Sequence, residues 1–300
     1  MELLRLSEKT ENHVPVTVKV PGSCGELVQG VIDGEPFLIT CPINMFSTAI
    51  IIDNGVKNVL KSKASKALKI FCTEFGLDAE LLNVKLQTQL IKSKGMSSSS
   101  ADIAAVCKAA AIAFGIDITA EKIAQIAARV EPTDGVFCDG IVKFNHITGE
   151  VLQYLGTPPP LKILVFDCGG SVDTIVFNQR GELPYLNEKK EEQVKQALEL
   201  VEYGVKYKNA AAIGKGSTIS ALANQDILCK EDLEVIIDIA EKCNAVGVNI
   251  AHSGTLIGVL FSITVSENKL LECVHAVHEM CPYMRYLFTA ELIAGGFFTV

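Results

Sequence analysis

Three consecutive prolines, Pro158-Pro159-Pro160, interrupt the chain just past its midpoint. Each fixes φ and lacks a backbone N–H, so neither a helix nor a central strand runs through them. The run predicts a boundary, with one domain over 1–157 and a second over 161–300. A length of 300 residues suits two ordinary domains or one large one. With 49% apolar residues there is enough material for sizeable cores.

On the N-terminal side, the alternation Val14–Val20 reads as a strand, followed by a turn at Pro21-Gly22-Ser23-Cys24-Gly25. Further strands are predicted at Pro36–Cys41 and Ser47–Ile52, and helices over 102–114 and 119–130. On the other side, Leu161–Asp167 has the length and apolarity of a buried strand. Helices follow at Asn187–Lys208, Glu231–Cys243 and Lys269–Met280. Val246–Ile250, Thr255–Val265 and Phe297–Val300 read as strands. Helices and strands mix without strict alternation, which predicts an α+β fold.

Composition removes several function classes. A net charge of -8 and a pI near 5.3 argue against a nucleic-acid partner, which favours a basic surface. Trp is absent and aromatics make up 6% of residues, too few for a base-stacking platform. Mean hydropathy is +0.31, yet no uninterrupted apolar run reaches membrane-spanning length, so no membrane partner is expected. The first residues, Met1-Glu2-Leu3-Leu4-Arg5, carry no secretory pattern. The ten cysteines show neither Cys-x-x-Cys nor a tight Cys/His cluster. They are expected to be reduced core thiols of a cytoplasmic protein. His275 and His278, at i and i+3, lack a third ligand and read as surface residues.

Four segments carry candidate chemistry. Lys94-Gly95-Met96-Ser97-Ser98-Ser99-Ser100-Ala101 leads into a helix. A small-residue loop opening a helix gathers unpaired N–H groups at the positive end of the helix dipole, which suits a phosphate. By itself the loop is equally a serine linker with an N-cap. It is not a Walker loop. Pro21-Gly22-Ser23-Cys24-Gly25-Glu26-Leu27-Val28-Gln29-Gly30 places Glu26 and Gln29 among apolar residues, although Glu26 also suits a solvated strand end. In Glu131-Pro132-Thr133-Asp134, two acids oppose the dipole at a helix end. A metal ligand and a general base are their candidate roles. Ala251-His252-Ser253-Gly254-Thr255 is a small-residue turn between two strands.

In this order the four segments resemble the GHMP kinase superfamily, the kinases of galactose, homoserine, mevalonate and phosphomevalonate. Gly95–Ala101 is similar to that family's Gly-Leu-Gly-Ser-Ser-Ala phosphate loop, with Met for Leu and Ser for the second Gly. The resemblance implies an N-terminal domain like domain 2 of ribosomal protein S5 and a ferredoxin-like C-terminal domain. Residues 21–30, Cys41-Pro42-Ile43, 131–134 and Gly170-Ser171-Val172-Asp173-Thr174 further resemble the L-threonine kinase family of cobalamin synthesis and propanediol utilisation. That implies transfer of the ATP γ-phosphate to L-threonine, giving L-threonine O-3-phosphate.

Carried onto this chain, the resemblance implies that Ser99 and Glu131 hold Mg²⁺, an ion that prefers hard oxygen ligands. Gly95, Ser97, Ser98 and Ser100 would contact the ATP phosphates, and Lys94 would add a point charge. Mevalonate-type members have a lysine where this chain has Ser23. Asp134 is then the candidate base, with a base-free route as the alternative, since phosphoryl transfer depends mainly on positioning and charge neutralisation. Glu26 is the candidate partner of the threonine ammonium, with Ser23 and Gln29 beside it. The supporting role of 251–255 rests on a single glycine, and Asp173 has no assigned role. A kinase of another small alcohol such as homoserine, or a non-catalytic nucleotide binder, remains the competing reading.

Overall fold

The computed structural model describes residues 16–52, 60, 62–170, 172 and 179–299. Val14, Pro15, Ser171, Asp173, Thr174 and Val300 lie outside the described residues.

The chain begins with a long antiparallel pair, β1 (Thr17–Ile32) and β2 (Glu35–Ile51). They meet at Asp33-Gly34, both with positive φ (51° and 79°). That is the two-residue hairpin geometry matching the twist of the flanking strands. The predicted turn at 21–25 is absent. β1 runs through it as a bulged strand whose register against β2 shifts around Pro21/Gly22 and between Ser23 and Val28. A bulge bends a strand and re-aims side chains without ending the pairing. Gly25, with φ of 59°, permits this bend.

Helices α1 (Lys63–Phe75), α2 (Ser98–Ala113) and α3 (Ala120–Ala128) cover this sheet. α2 carries eleven alanines, serines or cysteines among its sixteen residues, SSSADIAAVCKAAAIA, and is buried along most of its length. Such small side chains let neighbouring backbones approach closely. β3 (Val84–Thr88) pairs with β2, as does β4 (Ile141–Asn145), which leads to β5 (Glu150–Gly156). The proline run links β5 to β6 (Leu161–Asp167), with Pro158 and Pro159 buried.

β6 lies between β8 (Leu256–Ser262) and β9 (Arg285–Leu292), and β7 (Gly247–Ile250) pairs with β8. Helix α4 (Leu183–Lys206) starts four residues before its predicted position. It packs with α5 (Ala210–Ala223) against β1. α6 (Leu233–Lys242) and α7 (Glu267–Met280) enclose a second apolar cluster around Phe166, Ile236 and Phe261. β10 (Phe298–Thr299) returns to pair with β1. Single pairings, Glu26 with Ile250 and Ile43 with Leu292, join the two sets of strands. The main core crosses the proline break, combining Val20 and Phe37 with Ile163, Val194 and Leu292. The site lies where these strands join.

Candidate active site

The serine loop is set by backbone geometry. Gly95 and Ser97 both have positive φ (94° and 52°), and α2 begins at Ser98. β1 holds the loop from one side: the Ser23 N–H donates to Met96 O at 3.0 Å and the Gly25 N–H to Gly95 O at 3.0 Å. The Ser23 hydroxyl shares a 2.6 Å hydrogen bond with Ser97 Oγ. On the other side the Thr255 N–H donates to Lys94 O at 2.9 Å. A Cβ at Gly254 would lie 2.7 Å from Gly95 Cα, so the 251–255 turn rests directly on the loop. The Ser97 side chain does not cap α2. Its first N–H groups and their partial positive charge therefore remain available to an anion.

The α2 N-terminus opens into a cleft of about 530 Å³ lined by Gly95, Ser97, Ser98, Ser99 and Ser100 together with Glu26, Gln29, Glu131 and Asp134. Lys63 and Lys92 bring positive charge to the same walls. Two predicted residues lie elsewhere. Ser23 is fully buried behind Ser97. Lys94 turns to β6, pairing with Asp167 at 2.8 Å and donating to Gly170 O at 2.7 Å. Asp167 also accepts from Thr255 Oγ1 at 2.5 Å, which ties the loop, β6 and the 251–255 turn together.

Glu131 follows α3 and is buried. It accepts from the Ser99 hydroxyl on one oxygen and from the Lys63 ammonium on the other. The Glu131 carboxylate and the adjoining Ser99 hydroxyl form a hard-oxygen donor set that fits Mg²⁺. Among the described residues, no group of three or more His, Cys, Asp or Glu is placed to hold a metal ion by itself. Such a site suits an ion that keeps waters and takes substrate phosphates, rather than one caged by protein alone.

Ser100 stitches α2 to the acidic segment. Its hydroxyl accepts from Thr133 Oγ1 at 3.1 Å and from the Asp134 N–H at 3.0 Å. Asp134 is raised to about 7, chiefly by burial and then by the charge of Glu26. Glu26 is likewise raised to about 7 by burial, opposed by the His252 N–H and by Lys230. Its Oε2 accepts from the His252 N–H at 2.8 Å and contacts His252 Nδ1 at 3.2 Å. Burial holds His252 well below the usual imidazole range, so the ring is neutral. With Nδ1–H donating to Glu26, Nε2 accepts from the Ser220 hydroxyl at 3.0 Å. The Ser220 oxygen in turn accepts from the Gln29 N–H at 3.2 Å. This chain fixes Glu26 while leaving it on the cleft wall.

The sequence reading missed Lys63, Lys92, Asp167, His146 and Lys190. Lys63 stands at the start of α1, whose 3.6-residue apolar spacing (Ala64, Ala67, Leu68, Phe71, Cys72) was available as a signal. The others have no local pattern. His275 and His278 lie exposed on α7. All ten cysteines are free, eight of them buried. No helix among the described residues is long and apolar enough to cross a membrane.

Residues 62–140, which hold the loop, Glu131 and Asp134, match the GHMP kinases N terminal domain family. This part of the chain is similar to the N-terminal domain of GHMP kinases. An L-threonine kinase from Salmonella typhimurium is 29% identical over 246 residues, covering 80% of this chain and 81% of that protein. An L-threonine kinase from Citrobacter freundii is 28% identical over 243 residues, covering 80% and 84%. Homoserine kinase from Cytophaga hutchinsonii superposes with a TM-score of 0.69 at 12% identity, covering 97% of this chain and 99% of that one. That likeness is one of fold.

Proposed function

We propose that this chain is an ATP-dependent kinase of L-threonine, producing L-threonine O-3-phosphate for assembly of the cobalamin nucleotide loop, as in propanediol utilisation. The observation that carries the reading is the joining, in one cleft, of an uncapped helix N-terminus, the Ser99–Glu131 pair and two buried carboxylates, Glu26 and Asp134. The L-threonine kinase relatives direct it to threonine.

The N–H groups of the α2 N-terminus, with Gly95, Ser97 and Ser98, receive the ATP phosphates. Ser99 and Glu131 hold Mg²⁺, which supplies charge neutralisation on the phosphates. Ser100 contributes by fixing Asp134, Ser23 by bracing Ser97, and Lys94 by anchoring the loop through Asp167. Glu26 accepts the threonine ammonium beside Gln29. The threonine hydroxyl oxygen forms the new bond to the γ-phosphorus as the bond to the bridging oxygen of ADP breaks. Asp134 accepts the hydroxyl proton. Ten free thiols favour a reducing compartment, the cytoplasm.

The test is ADP release from Mg-ATP with threonine, serine, homoserine and mevalonate. Threonine should give the highest kcat/KM. Homoserine clearly ahead of threonine would overturn the acceptor assignment, and Mg-ATP binding without any ADP release would make the chain a non-catalytic nucleotide binder. A Glu26→Ala protein with unchanged threonine KM would remove the ammonium role.

A further inference from the structure

A second cavity, of about 160 Å³, adjoins the cleft, and Gln29 and His146 line both. One wall is a face of α4 bearing Leu183, Asn187 and Lys190. These residues are spaced i, i+4 and i+7, so they share one side of the helix. Gly30 allows that side to lie flat on β1, since a Cβ there would sit 2.7 Å from a Val194 methyl. This close approach carries Lys190 inward until it is only 5% exposed.

The Lys190 ammonium has neutral company. It donates to Asn224 Oδ1 at 2.9 Å and to Gln29 O at 3.3 Å, and no carboxylate pairs with it among the described residues. Burial without a counter-charge disfavours the charged form and lowers Lys190 to about 8. His146, also on the cavity wall, is 9% exposed, and its Nδ1 is buried without a hydrogen-bond partner. A buried, unneutralised cation and an unpartnered imidazole nitrogen around one small cavity lack an anion. The cavity is too small for a nucleotide triphosphate, and the serine loop does not line it.

We propose that this cavity binds the α-carboxylate of the acceptor, with Lys190 as the residue that selects for that group and His146 as its second donor. The inference rests on the acceptor being an amino-acid alcohol. It places Lys190 and Glu26 against opposite charges of one zwitterion, leaving the hydroxyl to Asp134.

The experiment compares L-threonine with L-threoninol, which replaces the carboxylate by a hydroxymethyl group, in the wild-type protein, Lys190→Met and Lys190→Arg. The wild type should prefer threonine by about 100-fold in kcat/KM, the scale of a lost charge-assisted contact. In Lys190→Met the threonine KM should rise about as much, with kcat and ATP KM nearly unchanged and threoninol unaffected. Lys190→Arg should recover part of the preference. Wild-type protein using both acceptors equally overturns the inference without any variant, as does Lys190→Met with an unaltered threonine KM. If threonine is not the acceptor but homoserine is, the same comparison with homoserinol decides the subsite while the threonine reading alone fails. If nothing turns over, calorimetric binding of the threonine pair decides it, and no preference for the carboxylate overturns it.

Discussion

Glu131 satisfies its charge with the Ser99 hydroxyl and the Lys63 ammonium. Glu131→Gln removes the charge and keeps the shape. It should lower kcat by about 100-fold or more and raise the Mg²⁺ concentration for half-maximal rate, with threonine KM little changed. Metal titrations of ADP release check this. Glu26 and Asp134 make the reaction pH-dependent. Both are raised to about 7 by burial, and each acts in the proposed chemistry only when ionised. The kcat/KM for threonine should therefore rise with pH up to about 7 and level off above it. Because the two carboxylates titrate as a pair, the acid limb should be steeper than one proton per unit. Glu26→Gln removes the charge that raises Asp134, so the remaining limb should become single-proton and move to lower pH. A limb that stays in place would separate Glu26 from Asp134. At this scale the sequence was informative where chemistry sits beside a motif, as with Ser99, Glu131 and Asp134. Lys190 and His146 were invisible because a helix lysine and a loop histidine carry no local sign of being buried at one cavity.

The serine loop depends on three separate pieces of chain: β1 at Ser23 and Gly25, the Lys94–Asp167 contact with β6, and the 251–255 turn. The turn was the least supported of the four motifs because it has a single glycine at its tip, Gly254. That one glycine is enough, since it lies at the point where the two backbones touch. Gly254→Ala should push the loop out of position and raise ATP KM about tenfold or more, with threonine KM affected less. A variant with normal ATP KM would mean the turn does not support the loop. Element legibility follows the same physics. α2, β6 and α6 were readable from composition and apolar runs. β1 was misread because Pro21-Gly22 and Gly25 look like a turn, whereas in a long paired strand they produce bulges. α5, with the sequence AAAIGKGSTISALA, gives a poor helix signal through its two glycines. Packing explains both: a Cβ at Gly214 would collide with the Val246 carbonyl, and one at Gly216 would approach the Ala197 carbonyl at 2.7 Å. β4 is short, β5 and β9 are largely exposed, and β4 and β9 reach partners distant in sequence, β2 and β6.

For the whole molecule, the proline run lies between β5 and β6, and the apolar core continues across it. β7, β9 and β10 pair with β1 or β2, and α4 and α5 pack on β1, so the chain after the break completes the strands before it. We propose that segments 1–157 and 161–300 share one stability, because the apolar core is common to both. The cleft has the same character, because its wall includes Ser253 from the second half beside Glu26 and the serine loop from the first. Calorimetry should accordingly show one unfolding transition for the intact chain, with no separate melting of either half. Mg-ATP should raise that transition as a unit. At a free concentration 100 times Kd the stabilisation is about 2.7 kcal/mol, a shift of about 4 °C for a chain of this size. Two transitions of which Mg-ATP moves only the first would show that the halves melt independently. In that case the shared core and the inter-strand pairings would contribute little to cooperativity, and the loop would draw its order from the N-terminal half alone.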